Sequence, residues 1–233
     1  MKLYCDLHIH SCLSPCGDAL MTPNNIVGMA FIKQLGAIAV CDHNTAENLP
    51  AVQEVADMMG ILLLPGMELT TREEAHMLCY FPDVESCRAF GRYIYDYLPP
   101  LPNRPEFFGQ QQIMNSQDEE IGQEPKLLIS ALDLSFEECE QKIHEFGGLC
   151  VPAHINRGHN GVLNALGFLP SFARYDALEV SDAVPVSGVD LSAYRILKSS
   201  DAHYLENILE PTFTIEVKER SVKALFEAIA GRG

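Results

Sequence analysis

The sequence predicts an α/β fold built on a mainly parallel sheet or barrel, and three observations carry that prediction. Short apolar runs of strand length recur along the chain, amphipathic stretches with helix start and stop signals fall between several of them, and imidazoles and carboxylates gather just past the runs. In folds of this class, residues at the carboxyl ends of the strands collect at one mouth.

The apolar runs are residues 3–7, 37–41, 61–64, 77–81, 149–151, 177–180, 196–198 and 212–217. A helix over 23–35 has Thr22 as N-cap and Pro23 at its first position, and it ends before Gly36. A second, over 46–59, stops at Gly60. A third, over 136–146, opens on Ser135-Phe136-Glu137-Glu138, a capping box in which Ser135 and Glu138 satisfy each other's free amides. The last, over 222–230, places Val222, Leu225, Phe226 and Ile229 on one stripe. Residues 99–125, rich in Pro, Gln and acids, break the pattern and read as an inserted loop or lid within one domain spanning residues 1–233.

A hydrophobic share of 47% and a charged share of 21% describe a globular protein rather than a disordered one. The 32 acidic against 16 basic residues give a formal charge of −16, which argues against a nucleic-acid partner, because phosphate backbones are held by Lys and Arg. No apolar stretch approaches the roughly 20 residues of a membrane span, and the N-terminus lacks the basic-then-apolar order of a secretory signal, so a cytoplasmic protein without membrane contact is expected. The eight cysteines are then expected to stay reduced, and Cys5, Cys41, Cys79 and Cys150, lying in apolar runs, read as core.

What distinguishes the chain is its histidines. In Asp6-Leu7-His8-Ile9-His10 the two imidazoles fall on one face of a strand. Alone, such a pair is equally a polar strand end. Asp42-His43 follows the next run, Glu68 lies in Pro65-Gly66-Met67-Glu68-Leu69-Thr70-Thr71, His76 opens a further run, and His154 and Asp201-Ala202-His203 end two others. Seven of the eight histidines lie beside strand ends or in the loop after one, whereas His144 falls in a helical pattern and reads as solvated. So many imidazoles and carboxylates in one mouth require cations between them, which points to a multinuclear metal site.

These motifs, in this order and over residues 6–203, resemble the PHP (polymerase and histidinol phosphatase) family of metal-dependent phosphoesterases. The resemblance implies a distorted (β/α)7 barrel holding two to three zinc, manganese or iron ions. It implies that His8, His10, Glu68 and Asp201 hold one ion, that Glu68 bridges to a second held by His76 and His154, and that His43 and His203 take a third. The last ligand is the family's His or Asp a few residues past the first two histidines, and here Ser14-Pro15-Cys16-Gly17-Asp18 is three residues longer than the common form. Asp18 is the expected ligand, being a hard carboxylate beside imidazoles, with Cys16 as the alternative.

Clustered cations lower the pKa of a bridging water and neutralise phosphoryl charge during in-line attack, with Glu68, Asp201 and His203 at the centre of that chemistry. Arg157, three residues past His154, is placed to pair with a substrate phosphate, and a basic residue there contacts phosphate in relatives. His159 and, if the insertion closes as a lid, Arg104 are further substrate-side candidates. Asp6 and Asp42 are candidates to orient the imidazoles. The leading functional expectation is hydrolysis of a small phosphate mono- or diester. An exonuclease or polymerase-associated proofreading module is the first alternative, and a non-catalytic metal- or ligand-binding domain the second.

Overall fold

The computed structural model describes residues 1–171 and 173–231. The chain runs β1 (Lys2–Ile9), α1 (Pro23–Ile32), β2 (Ala37–Val40), α2 (Leu49–Met59), β3 (Leu62–Leu63), β4 (Gly66–Thr70), β5 (His76–Tyr80), α3 (Val84–Tyr95), α4 (Pro105–Phe108), β6 (Gln112–Met114), β7 (Glu120–Gln123), α5 (Phe136–Glu145), β8 (Leu149–Pro152), α6 (Val162–Ala165), β9 (Leu178–Glu179), β10 (Ile196–Leu197), β11 (Thr214–Glu216) and α7 (Val222–Ile229). The result is a mixed α/β fold. Its strands form a four-stranded sheet in the order β11-β1-β2-β3, a three-stranded sheet β4-β5-β8 and the pairs β9-β10 and β6-β7.

Among the described residues these ladders do not close into a ring, but isolated parallel bridges link the end of β1 to the loop after β10 (Ile9 to Ala202) and the segment after β2 to β4 (His43 to Glu68). β1, β2 and β3 are parallel. β4, β5 and β8 are antiparallel, against the expectation of a mainly parallel sheet. Only five residues separate β4 from β5, too few for the dozen or more that a parallel crossover needs, so the chain turns back at once.

Alternation along β1 sorts its side chains. Leu3, Cys5 and Leu7 pack with Leu225 and Ile229 of α7, each contributing about 1.5–3 kcal/mol by burial, while Asp6 and His8 occupy the opposite, polar face. The register with β2 shifts between Asp6 and Ile9, and Ile9 joins a different cluster, with Ile26 of α1, Val52 of α2 and Phe90 of α3.

The helix signals hold with shifted ends. Pro23 begins α1, Gly60 in the left-handed region ends α2, and the Ser135–Glu138 capping box is formed. The segment 99–125 is a folded hairpin rather than a bare loop. Asn48 holds it, donating to the Gln112 carbonyl and accepting the Met114 N–H, and the Asp118 carboxylate accepts from Thr22 and Asn24.

His144 is not solvated. Its Nδ1 lies 2.6 Å from Glu140 and its Nε2 2.9 Å from Asp176, whose carboxylate also accepts the Cys150 N–H. The hydrogen bond to Asp176 raises the imidazole pKa above its ordinary value, against burial, and the two carboxylates add to the effect. With both nitrogens donating, the charged form ties α5 to the segment before β9. Because the folded pKa exceeds the unfolded one, this stabilisation is complete below about pH 6.5 and fades as pH rises through the folded value. Denaturant unfolding should therefore show His144→Gln destabilised by about 1–3 kcal/mol near pH 5.5 and by much less near pH 8.5.

Candidate metal centre

The site forms where the sheets meet. β1 and the residue after it carry His8 and His10, β2 leads into His43, β4 supplies Glu68, and β5 begins with His76. His154 follows β8, and Asp201 and His203 follow β10. His154 and Asp201 have φ of 25° and 53°, strained for residues other than glycine and costing on the order of 1–3 kcal/mol each. That strain lies at two residues whose side chains turn inward to the same cluster.

At its centre is one carboxylate. Glu68 lies 3.0 Å from His76, 3.2 Å from His43, 3.3 Å from His154 and 3.4 Å from both His8 and His10. Asp201 lies 3.1 Å from His10 and 3.4 Å from His8. Glu68, His8 and His10 are buried.

Surrounding hydrogen bonds set the tautomers. Ser14 Oγ donates to Asp42, 2.7 Å away, so it accepts from His10 Nδ1 at 3.0 Å. Glu179 accepts from His8 Nδ1 at 3.1 Å and from the His154 backbone N–H at 2.9 Å. Both imidazoles therefore turn Nε2 inward, and these two atoms lie 3.1 Å apart. Two lone pairs at that distance repel, so a proton or a cation must sit between them. Burial opposes charge on these rings, yet Glu179, Glu68 and Asp201 outweigh it, raising the His8 pKa well above its ordinary value and that of His10 to about 9. Burial and the neighbouring imidazoles instead lower His43 and His203. Despite burial, the imidazoles hold Glu68 well below the usual carboxylate range and Asp201 below it too.

The donor set fits cations. Buried His43 Nδ1, Glu68 Oε1, His76 Nδ1 and His154 Nδ1 have no hydrogen-bond partner among the described residues. Ligand atoms converge within 4.8 Å of one another in three groups: His8, His10, Glu68 and Asp201; His43, Glu68 and His76; and His10, Cys16, His43 and His203.

The third group contains Cys16, the alternative ligand, and does not contain Asp18. The extra residues after Ser14 form a turn in which Gly17 N–H donates to the Ser14 carbonyl, and a Cβ at Gly17 would lie 2.3 Å from the Ser11 carbonyl oxygen. The turn leaves the Cys16 sulfur grouped with His10, His43 and His203. Asp18 instead binds outside the cluster, accepting the Leu20 N–H, while its backbone N–H donates to the His203 carbonyl. Cys16 is exposed as a residue, but enclosure around its sulfur and the charges of Glu68 and Asp201 push the thiol up to about 12, so it becomes a thiolate only beside a cation.

A cavity of about 480 Å³ opens over the cluster, lined by His43, Glu68, His76, His154, Asp201 and His203, with Arg157 and His159 at its rim. Arg157 donates to Asp201. Arg104 lies elsewhere, exposed with its guanidinium 4.8 Å from the Phe107 ring centre. Asp42 reaches His10 through Ser14, whereas Asp6 binds Ser200 and the Leu209 N–H and so positions the loop rather than an imidazole. Sequence reasoning missed Glu179. Its signal was a carboxylate inside the apolar run 177–180, where a buried charge demands a partner.

The PHP domain profile matches residues 6–145. The chain belongs to the PHP domain family. A 5'-3' exoribonuclease Rnm of Salmonella typhimurium is 37% identical over 73 residues, 30% of this chain and 24% of that one. A Haemophilus influenzae 5'-3' exoribonuclease is 33% identical over 69 residues, again 24% of its length. Among solved structures, the lesion-specific endonuclease EndoQ of Pyrococcus furiosus superposes with a TM-score of 0.69 at 21% identity, covering all of this chain and 57% of that one. A putative metal-dependent phosphoesterase of Bifidobacterium adolescentis superposes with a TM-score of 0.59 at 19% identity, covering 86% of this chain and 87% of that one.

The family and the cluster are those of a metal-dependent hydrolase. The relatives named as exoribonucleases overturn the expectation that a nucleic-acid partner is unlikely and the substrate small. A charge of −16 is a whole-chain sum and does not describe the mouth, whose lining carries Arg157 together with an imidazole set that fits cations. No helix among the described residues is long and apolar enough to cross a membrane. Elemental analysis of purified protein should find less bound metal in Cys16→Ser than in the parent and an unchanged content in Asp18→Asn.

Proposed function

We propose that this PHP protein hydrolyses phosphodiester bonds of nucleic acid at a site of two to three divalent cations. The observation that carries the reading is Glu68 held within 3.4 Å of five imidazoles beneath an open mouth whose rim bears Arg157. In this reading the sheets joined through the Ile9–Ala202 and His43–Glu68 bridges are the wall of a distorted (β/α)7 barrel.

His8, His10, Glu68 and Asp201 would hold one ion, and Glu68, His76 and His154 a second. His43, His203 and Cys16 would hold a third, with sulfur favouring zinc there over manganese. Such ions supply a water of lowered pKa and charge neutralisation at the phosphoryl oxygens. The protein's own groups do the rest. Glu179 and Ser14 hold His8 and His10 in the tautomer that aims Nε2 inward. Arg157, freed from Asp201, pairs with the non-bridging oxygens of the scissile phosphate. His159, exposed on the same rim, offers a proton to the leaving oxygen.

Protein loaded with manganese or zinc should release nucleotides from a 5'-phosphorylated RNA or DNA oligonucleotide, and a chelator should abolish release. Arg157→Ala should raise KM roughly 10- to 150-fold, the cost of losing a charged hydrogen bond. Absence of cleavage, or cleavage indifferent to chelation, contradicts the reading.

A further inference from the structure

A second cavity, of about 620 Å³, opens beside the metal mouth, and Arg157 and Gly158 line both. The two are also joined along one loop, since Ala183 lines the mouth and the next residue, Val184, lines the second cavity. Asn156 fixes that wall, donating to the Ser181 and Val184 carbonyls and accepting the Ser181 N–H. The two spaces therefore adjoin across a braced wall at Arg157, where a phosphate would be held.

Chemistry changes along it. Among the described residues Arg157 is the sole Lys or Arg in the second cavity's lining, and it stands at the shared end, while the carboxylate Asp190 lines the cavity as well. A second phosphate is thus disfavoured away from the mouth. Phe168, 56% exposed, and Tyr194 offer aromatic surface there, beside Leu163 and Val184. Asn164 lines the cavity as a polar group. An acyl chain would not suit walls that also carry Asn164 and Asp190. A flat group with apolar faces and a polar edge does, and the volume lies within the roughly 300–1,000 Å³ of small-ligand sites.

We propose that this cavity is a nucleobase subsite, in which Phe168 stacks on the base of the nucleotide whose phosphate lies at the metal mouth. The proposal rests on the phosphodiesterase reading for its orientation, but it can be tested by binding alone. Base stacking on an aromatic side chain changes affinity by about 5- to 150-fold.

Calorimetric titration of the metal-loaded full chain should find adenosine 5'-monophosphate bound at least about 5-fold tighter than ribose 5-phosphate. Phe168→Ala should erase that difference while leaving ribose 5-phosphate affinity and bound metal unchanged, and Phe168→Tyr should keep it. Equal affinities in the parent, no binding of either probe, or an unchanged preference in Phe168→Ala overturns the subsite. If the preference depends on Phe168 yet no oligonucleotide is cut, the subsite stands and the phosphodiesterase reading falls. If oligonucleotides are cut but both probes bind alike, the reverse holds.

Discussion

The position of the Glu68 carboxylate is the constraint on which the rest of the structure depends. Five imidazoles from four segments of the chain approach it within 3.4 Å, in a setting where Glu68 is 1% exposed. An unpaired charge buried so deeply is prohibitive, and a charge with five partners fixes the separation of every element that carries one. The β4–β5 hairpin, the His43–Glu68 bridge and the strained backbone at His154 and Asp201 all serve that convergence.

A further set of groups makes the arrangement chemically definite. Glu179 and the Ser14–Asp42 pair each take one proton position on His8 and His10, so the remaining nitrogens face one another across 3.1 Å. Asp6 takes no imidazole but anchors Ser200 and the Leu209 N–H, holding the loop that presents Asp201 and His203. The site is thus built from strand ends, but its precision comes from carboxylates beneath them.

Much of this was legible in the sequence because it depends on short-range periodicity. Alternation in β1 put His8 and His10 on one face, and caps at Thr22, Gly60 and Ser135 marked real helix ends. The antiparallel sheet was less legible, since β4 was not distinguished and direction depends on the length of the connection between it and β5. Cys16 and Asp18 could not be separated by counting, because the decision rests on a turn closed by the Gly17 approach to Ser11. Net charge misled for a related reason, as a sum over the chain carries no information on where the acids lie. His144 looked like a surface residue because Asp176, its second partner, is 32 positions away.

The central claim is that this buried cluster is built for cations and that, without them, protons on His8 and His10 hold it together. Calorimetric titration of metal-free protein with zinc or manganese, run near neutral pH in two buffers of different ionisation heat, tests it most directly. The account predicts tight binding with net proton release, seen as a heat that depends on the buffer. Absence of binding, or binding with no proton release, would contradict it.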